Sequence, residues 1–245
     1  MIEIKNLEIK VWEKNILKDV SLTFEAGKNY LVLGKNGSGK SSLSSFLMGN
    51  PAFEYVSGEV EMDGKNLLEM SSDERSKAGL FLSFQNVPEI EGINLRDYLR
   101  TIYNAMLKNR FPETPALTPF VFKRFIKKHL EELSIPETFL ERDLNVGFSG
   151  WEKRKIEMLQ AKLLGPKYII LDEIDSWLDL DAFKLVAQLI ASLDSVNNSI
   201  IVITHHFKIA EHTKFDTVYV LKNGELERQW GMEMIDEIMK NGFGE

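Results

Sequence analysis

The chain contains no cysteine, which removes disulfides, thiol nucleophiles and thiolate metal ligands together. Any thiol or metal–sulfur chemistry must therefore belong to a partner. A long Lys/Arg tract is also missing, and the net charge is -7, a balance that argues against a dedicated nucleic-acid or anionic-membrane surface. No apolar run approaches the length of a membrane span, and the start, Met1-Ile2-Glu3-Ile4-Lys5, lacks the basic and apolar regions of a secretory signal. A cytoplasmic protein is expected. There is no internal repeat and no low-complexity tract. What is present is 245 residues, enough for one large domain or a core with a modest insertion, and short for a second independent domain.

The apolar pattern divides the chain into zones. Ile2, Ile4 and Leu7, followed by Ile16, Val20, Leu22 and Phe24, predict an antiparallel β-rich start, and residues 29–33 read as a buried strand entering a glycine-rich turn. A helix is expected from about Lys40. Residues 58–64 alternate like a half-exposed strand closed by an Asp63-Gly64 turn. From about residue 86 to 144 the pattern becomes helical, with runs over Leu95–Leu107 and Phe120–Leu133 joined by a proline-bearing segment. Beyond it, Tyr168–Leu171 and Ile200–Ile203 read as buried parallel strands with a crossover helix over Ala182–Leu193. The zones predict an α/β domain over 1–245, with a core of 1–85 and 145–245 and a helical insertion at about 86–144.

One motif carries phosphate chemistry. Gly34-Lys35-Asn36-Gly37-Ser38-Gly39-Lys40-Ser41 fits Gly-x-x-x-x-Gly-Lys-Ser/Thr between a predicted strand and a predicted helix. There backbone N–H groups and the helix N-terminus can surround phosphate oxygens. Lys40 would neutralise the β- and γ-phosphates, Ser41 would ligate Mg²⁺, and Ser42 follows in the same turn. Residues 168–173 bring two carboxylates to the end of an apolar strand, where α/β sheets place ligands. Asp172 would hold Mg²⁺, and Glu173 would act as general base on the attacking water.

The order of these pieces resembles the ATP-binding cassette ATPases. Phe148-Ser149-Gly150-Trp151-Glu152-Lys153 before a helix resembles their signature, Gln85 after an apolar strand resembles the Q-loop glutamine, and His205 after Ile201-Val202-Ile203-Thr204 resembles the switch histidine. The resemblance implies a P-loop, RecA-like parallel core, an N-terminal antiparallel β subdomain and an inserted helical subdomain. It implies ATP and Mg²⁺, with Gln85 sensing the metal and the attacking water and His205 contacting the γ-phosphate. It implies that Ser149 and Gly150 complete the partner copy's site in a transient head-to-tail homodimer. Arg154 and Lys155, at the start of the signature helix, read as a solvated face, and His129 and His212 read as solvated.

Within that family the chain resembles the SufC-type branch. The stretches 48–51, 83–90, 145–150, 156–160 and 172–176 carry the likeness, and Ile174-Asp175 stands where a transporter cassette would show Pro-Thr. The resemblance implies a cytosolic ATPase that drives rearrangement of a SufB/SufD-type scaffold during iron–sulfur cluster assembly, with part of the helical insertion as docking surface. The alternative is the nucleotide-binding subunit of a membrane transporter. The family also expects glycine where Trp151, Trp177 and Trp230 stand, and Trp12 is a candidate fourth. Such a coincidence is explained if these codons are UGA, which some bacterial lineages read as glycine. If Trp151 and Trp177 are genuine, the expectation is a degenerate nucleotide-binding module.

Overall fold

Alternation in the first residues decides which side chains enter the core. In β1 (Ile2–Val11) the buried positions are Ile2, Ile4, Leu7 and Ile9, and β2 (Lys14–Phe24) answers with Leu17, Val20, Leu22 and Phe24. The computed structural model describes residues 1–84, 86–174, 187–188, 190–193 and 197–231. They fall into two compact units, one of Met1–Ser83 with the chain from Lys167 onward, the other of Phe84–Pro166.

The β-rich unit continues with β3 (Tyr30–Leu33), α1 (Lys40–Leu47), β4 (Glu54–Met62), β5 (Lys65–Asn66), α2 (Ser72–Lys77) and β6 (Leu80–Ser83). The antiparallel sheet has the order β2-β1-β4-β5. The expected Asp63-Gly64 turn joins β4 to β5, with φ of +52° and +76°, as a two-residue hairpin of this hand requires.

The helical unit holds β7 (Ile90–Asn94), α3 (Leu95–Arg110), α4 (Pro119–Glu132), β8 (Asp143–Leu144) and α5 (Gly150–Leu164). Asn94 caps α3 by accepting from the N–H groups of Arg96 and Asp97, and Thr118 caps α4 just before Pro119. Ser149 and Glu152 form a reciprocal capping box at the start of α5. Tyr103, Phe122 and Phe125 pack α3 against α4, and Tyr98 donates to Gln160 of α5 at 3.2 Å. These contacts make α5 part of the helical unit, which is therefore wider than the 86–144 segment.

The chain then returns to the β-rich unit with β9 (Tyr168–Asp172), β10 (Ser199–Thr204), β11 (Thr217–Lys222) and β12 (Glu225–Gly231). Their sheet has the order β12-β11-β3-β10-β9-β6, parallel except for β12. β3, β9 and β10 are buried along their whole lengths, which is why they read as unbroken apolar runs. Of the expected 182–193 helix, the described residues 187–188 and 190–193 are helical. The hairpin of β11 and β12 was not among the expectations. An Asn223-Gly224 turn marks it, with φ of +54° and +86°, but β12 is an edge strand with mostly exposed residues and shows no clean alternation.

One core joins the two sheets of this unit. Ile4 and Leu22 from the first meet Val32, Ile170 and Ile201 from the second, with Leu43 and Leu47 of α1. Two polar ties reinforce it. The Asp63 carboxylate accepts from the Met1 ammonium at 2.5 Å, Lys167 Nζ at 2.6 Å and Tyr168 Oη at 2.9 Å. Arg75 of α2 is buried and donates to the carbonyls of Phe46, Leu47 and Met70 at 2.8, 2.9 and 2.9 Å.

Candidate functional site

The glycine-rich loop connects β3 to α1, and its two tightest points explain its composition. A Cβ at Gly34 would stand 2.3 Å from the Leu221 carbonyl oxygen, and Gly39, at the helix start, has φ of +103°. Neither position accepts a side chain without shifting the loop. Asn36 and Gly37 lie exposed at its tip, Ser38 and Lys40 are buried, and Ser41 and Ser42 follow half-buried in α1. The Lys40 ammonium is folded back onto the loop, donating to the carbonyls of Gly34 at 2.7 Å and Lys35 at 3.1 Å. Ser38 Oγ is buried without a hydrogen-bond partner. A buried orphan donor in a loop of backbone N–H groups suits an anion.

The parallel strands bring the acidic groups to the same edge. Asp172 closes β9, and its two oxygens accept from Ser41 Oγ at 3.0 Å and Ser44 Oγ at 2.9 Å. Glu173 follows at φ of +47°, a strained value for a non-glycine residue, and its N–H donates to the Ile203 carbonyl at 2.8 Å. His205 Nδ1 lies 3.7 Å from Glu173 Oε1, and its ring sits 3.8 Å from that of His206. Beside the loop a cavity of about 770 Å³ is lined by Lys35, Asn36, Ser38, His205 and Trp230 among others.

Burial governs the electrostatics. It lowers the Lys40 ammonium from its ordinary value, against the pull of Glu173 and then Asp172. It raises the Asp172 carboxyl, against the Ser44 and Ser41 hydroxyls and Lys40. Among the described residues no group of three His, Cys, Asp or Glu could hold a metal. The oxygens gathered there are one carboxylate and the two hydroxyls that donate to it. That set suits a hard cation that completes its shell with water and phosphate oxygens.

The structure thus gathers Gly34, Asn36, Gly37, Ser38, Gly39, Lys40, Ser41, Ser42, Asp172, Glu173 and His205 in the β-rich unit. Ser149 caps α5 and Gly150 begins it in the helical unit, where a Cβ on Gly150 would meet nothing within 4 Å. Gln85 and Trp177 lie outside the described residues. Sequence reasoning missed Ser44, although its spacing of three from Ser41 puts both hydroxyls on one helical face. It also misjudged several surface assignments. Arg154 is bound to the Phe84 carbonyl and Glu157, and Lys155 donates to the Ser134 carbonyl at 2.9 Å. His129 is half-buried against Phe125 and not solvated, because α4 turns that face toward its own aromatic cluster.

Known proteins resemble this chain in sequence and in fold. The sequence pattern of the ABC transporter family matches residues 17–176. The chain is 40% identical over 243 residues to the probable ATP-dependent transporter ycf16 of Pyropia yezoensis, covering 99% of this chain and 96% of that protein. It is 38% identical over 244 residues to the probable ATP-dependent transporter SufC of Escherichia coli (strain K12), covering 100% and 98%. Among solved structures, a dimeric post-hydrolysis ATP-binding cassette bound to ADP and Pi superposes with a TM-score of 0.77 at 22% identity, covering 95% of this chain and 99% of that one. A nucleotide-free cassette from an ABC transporter gives 0.76 at 24%, covering 100% and 99%. These likenesses show the cassette fold.

Proposed function

The chain belongs to the ATP-binding cassette ATPases, in their SufC-type branch, and from that premise we propose that its ATP hydrolysis drives rearrangement of a SufB/SufD-type scaffold during iron–sulfur cluster assembly. The observation that carries the hydrolytic part is the convergence of Ser41 and Ser44 on Asp172, with Glu173 next in the chain. Lys40 leaves the loop carbonyls to take the β- and γ-phosphate oxygens. Ser41 and Asp172 would hold Mg²⁺, which supplies positive charge to the phosphates. Glu173 accepts the proton of the attacking water at its carboxylate, and His205 and Gln85 position the γ-phosphate and that water. The loop residues Gly34, Asn36, Gly37, Ser38 and Gly39 donate backbone N–H groups, and Ser42 extends the set at the helix start.

Ser149 and Gly150 face the nucleotide of a second copy in a transient head-to-tail homodimer. No helix among the described residues is long and apolar enough to cross a membrane, in keeping with a cytoplasmic protein that meets its scaffold in solution. Relatives that carry the word transporter in their names keep the permease-bound reading in play as the competing outcome of the test.

Replacing Glu173 by Gln should leave ATP binding within about threefold and lower turnover by roughly 100-fold or more, since the base is lost and the phosphate cradle is kept. The same variant, trapped with ATP, should co-purify with SufB/SufD-type proteins from its own organism. Recovery of a multi-span permease in their place would overturn the scaffold reading. Unaltered turnover would overturn the role of Glu173.

A further inference from the structure

The strand β6 ends at Ser83, and the next residue is held by other means. Phe84 is 54% exposed, so packing of its side chain does not fix its place. Its backbone is fixed on both sides. The N–H donates to Glu157 Oε1 at 3.0 Å, and the carbonyl accepts from Arg154 Nη1 at 2.6 Å. The same Arg154 nitrogen donates to Glu157 Oε2 at 2.7 Å, and the two side chains are 15% and 5% exposed.

Two charges taken that far out of water are a poor source of stability, because desolvation offsets most of their attraction. They give fixed geometry. Arg154 and Glu157 stand three apart on α5, so both project from one helical face toward the two backbone groups of one residue. Phe84 is the residue covalently before Gln85, and consecutive Cα atoms are about 3.8 Å apart. Holding both backbone groups of Phe84 therefore sets where the chain enters Gln85.

We propose that Arg154 and Glu157 are positioning residues for ATP hydrolysis: through the backbone of Phe84 they tie the entry of Gln85 to the helix that begins at Ser149 and Gly150. The proposal rests on the role given to Gln85 above.

The test uses the full chain and three changes. Arg154→Met with Glu157→Met removes the clamp and both charges together, an exchange that buried pairs tolerate in folding. Arg154→Lys keeps the charge but loses the planar fork that serves Phe84 and Glu157 at once. Gln85→Ala removes the group being positioned. The double Met variant should lower kcat about tenfold, with KM for ATP within about twofold and with an unfolding temperature close to that of the parent; Arg154→Lys should fall between. On the Gln85→Ala background the double Met change should cause no further loss of kcat. A lowered unfolding temperature with unchanged kcat would assign the pair to structure alone and overturn the proposal. So would a further loss of about tenfold on the Gln85→Ala background, which would place its action elsewhere. If Gln85→Ala alone leaves kcat unchanged, the reading of Gln85 fails, and that outcome is distinct from the other two.

Discussion

Trp12 occupies the first position of the two-residue turn between Val11 and Lys14, with φ of +55° and 85% of its surface exposed. A hairpin that takes positive φ at its first central residue wants glycine there. The left-handed region costs an ordinary residue about 1–2 kcal/mol, and glycine gives back ~0.5–1 kcal/mol through its greater freedom when unfolded. Trp12→Gly is therefore expected to raise stability by ~0.5 kcal/mol in denaturant unfolding, and a loss beyond ~1 kcal/mol would show that the indole holds something in place. Trp230 carries no such mark, being buried in β12 opposite Val218. Reading the gene at positions 12, 151, 177 and 230 decides the codon expectation: UGG there would end the idea. At this scale the phosphate residues were legible because their chemistry demands fixed spacing. Ser44 and Arg154 were not, because their roles depend on what the fold brings opposite them.

Among the elements, α1 depends on a residue far from the nucleotide motif. Its last carbonyls, Phe46 and Leu47, are satisfied by the buried guanidinium of Arg75, a charge-assisted cap at the negative end of the helix. Arg75→Ala would take the guanidinium from the Leu47 and Met70 carbonyls in a buried site, while the Phe46 carbonyl keeps the Gly49 N–H at 2.9 Å. It should destabilise the protein by ~2–4 kcal/mol in thermal or urea unfolding, and a change under ~1 kcal/mol would show that water replaces the guanidinium. The helices themselves were readable. Their apolar runs carried them, and the predicted run from Leu95 ends only one turn short of the observed Arg110. The Arg75 cap was not, since nothing in Ser72–Lys77 marks one of its charges as buried.

For the molecule as a whole, sheet order was the least legible property. Continuous apolar runs such as β3, β9 and β10 mark buried strands but carry no sign of which neighbour they take. The tie at Asp63 shows how the β-rich unit fixes its two sheets. Burial alone would raise that carboxyl, but hydrogen bonds from Lys167, the N-terminal ammonium and Tyr168 outweigh it and hold it down at about 2. Because the folded value is depressed, its contribution is present above the unfolded value and lost as pH falls from about 4 toward 2. With the side chain 35% exposed, solvent screening reduces that contribution to ~1 kcal/mol. Asp63→Asn should lower stability by about that amount at pH 7 and flatten the acid limb between pH 4 and 2. An unchanged acid limb would remove Asp63 as its source.

The strand order also bears on how the chain is made. β3, which leads into the phosphate loop, pairs only with β10 and β11, so a ribosome synthesising this chain delivers the whole helical unit before either partner of β3 exists. Phe84–Pro166 is contiguous, whereas Tyr30–Leu33 must wait for Ser199–Thr204. The nucleotide loop is thus among the first chemistry written and among the last to take shape, and a chain released early carries an unpaired apolar strand with no ATP site.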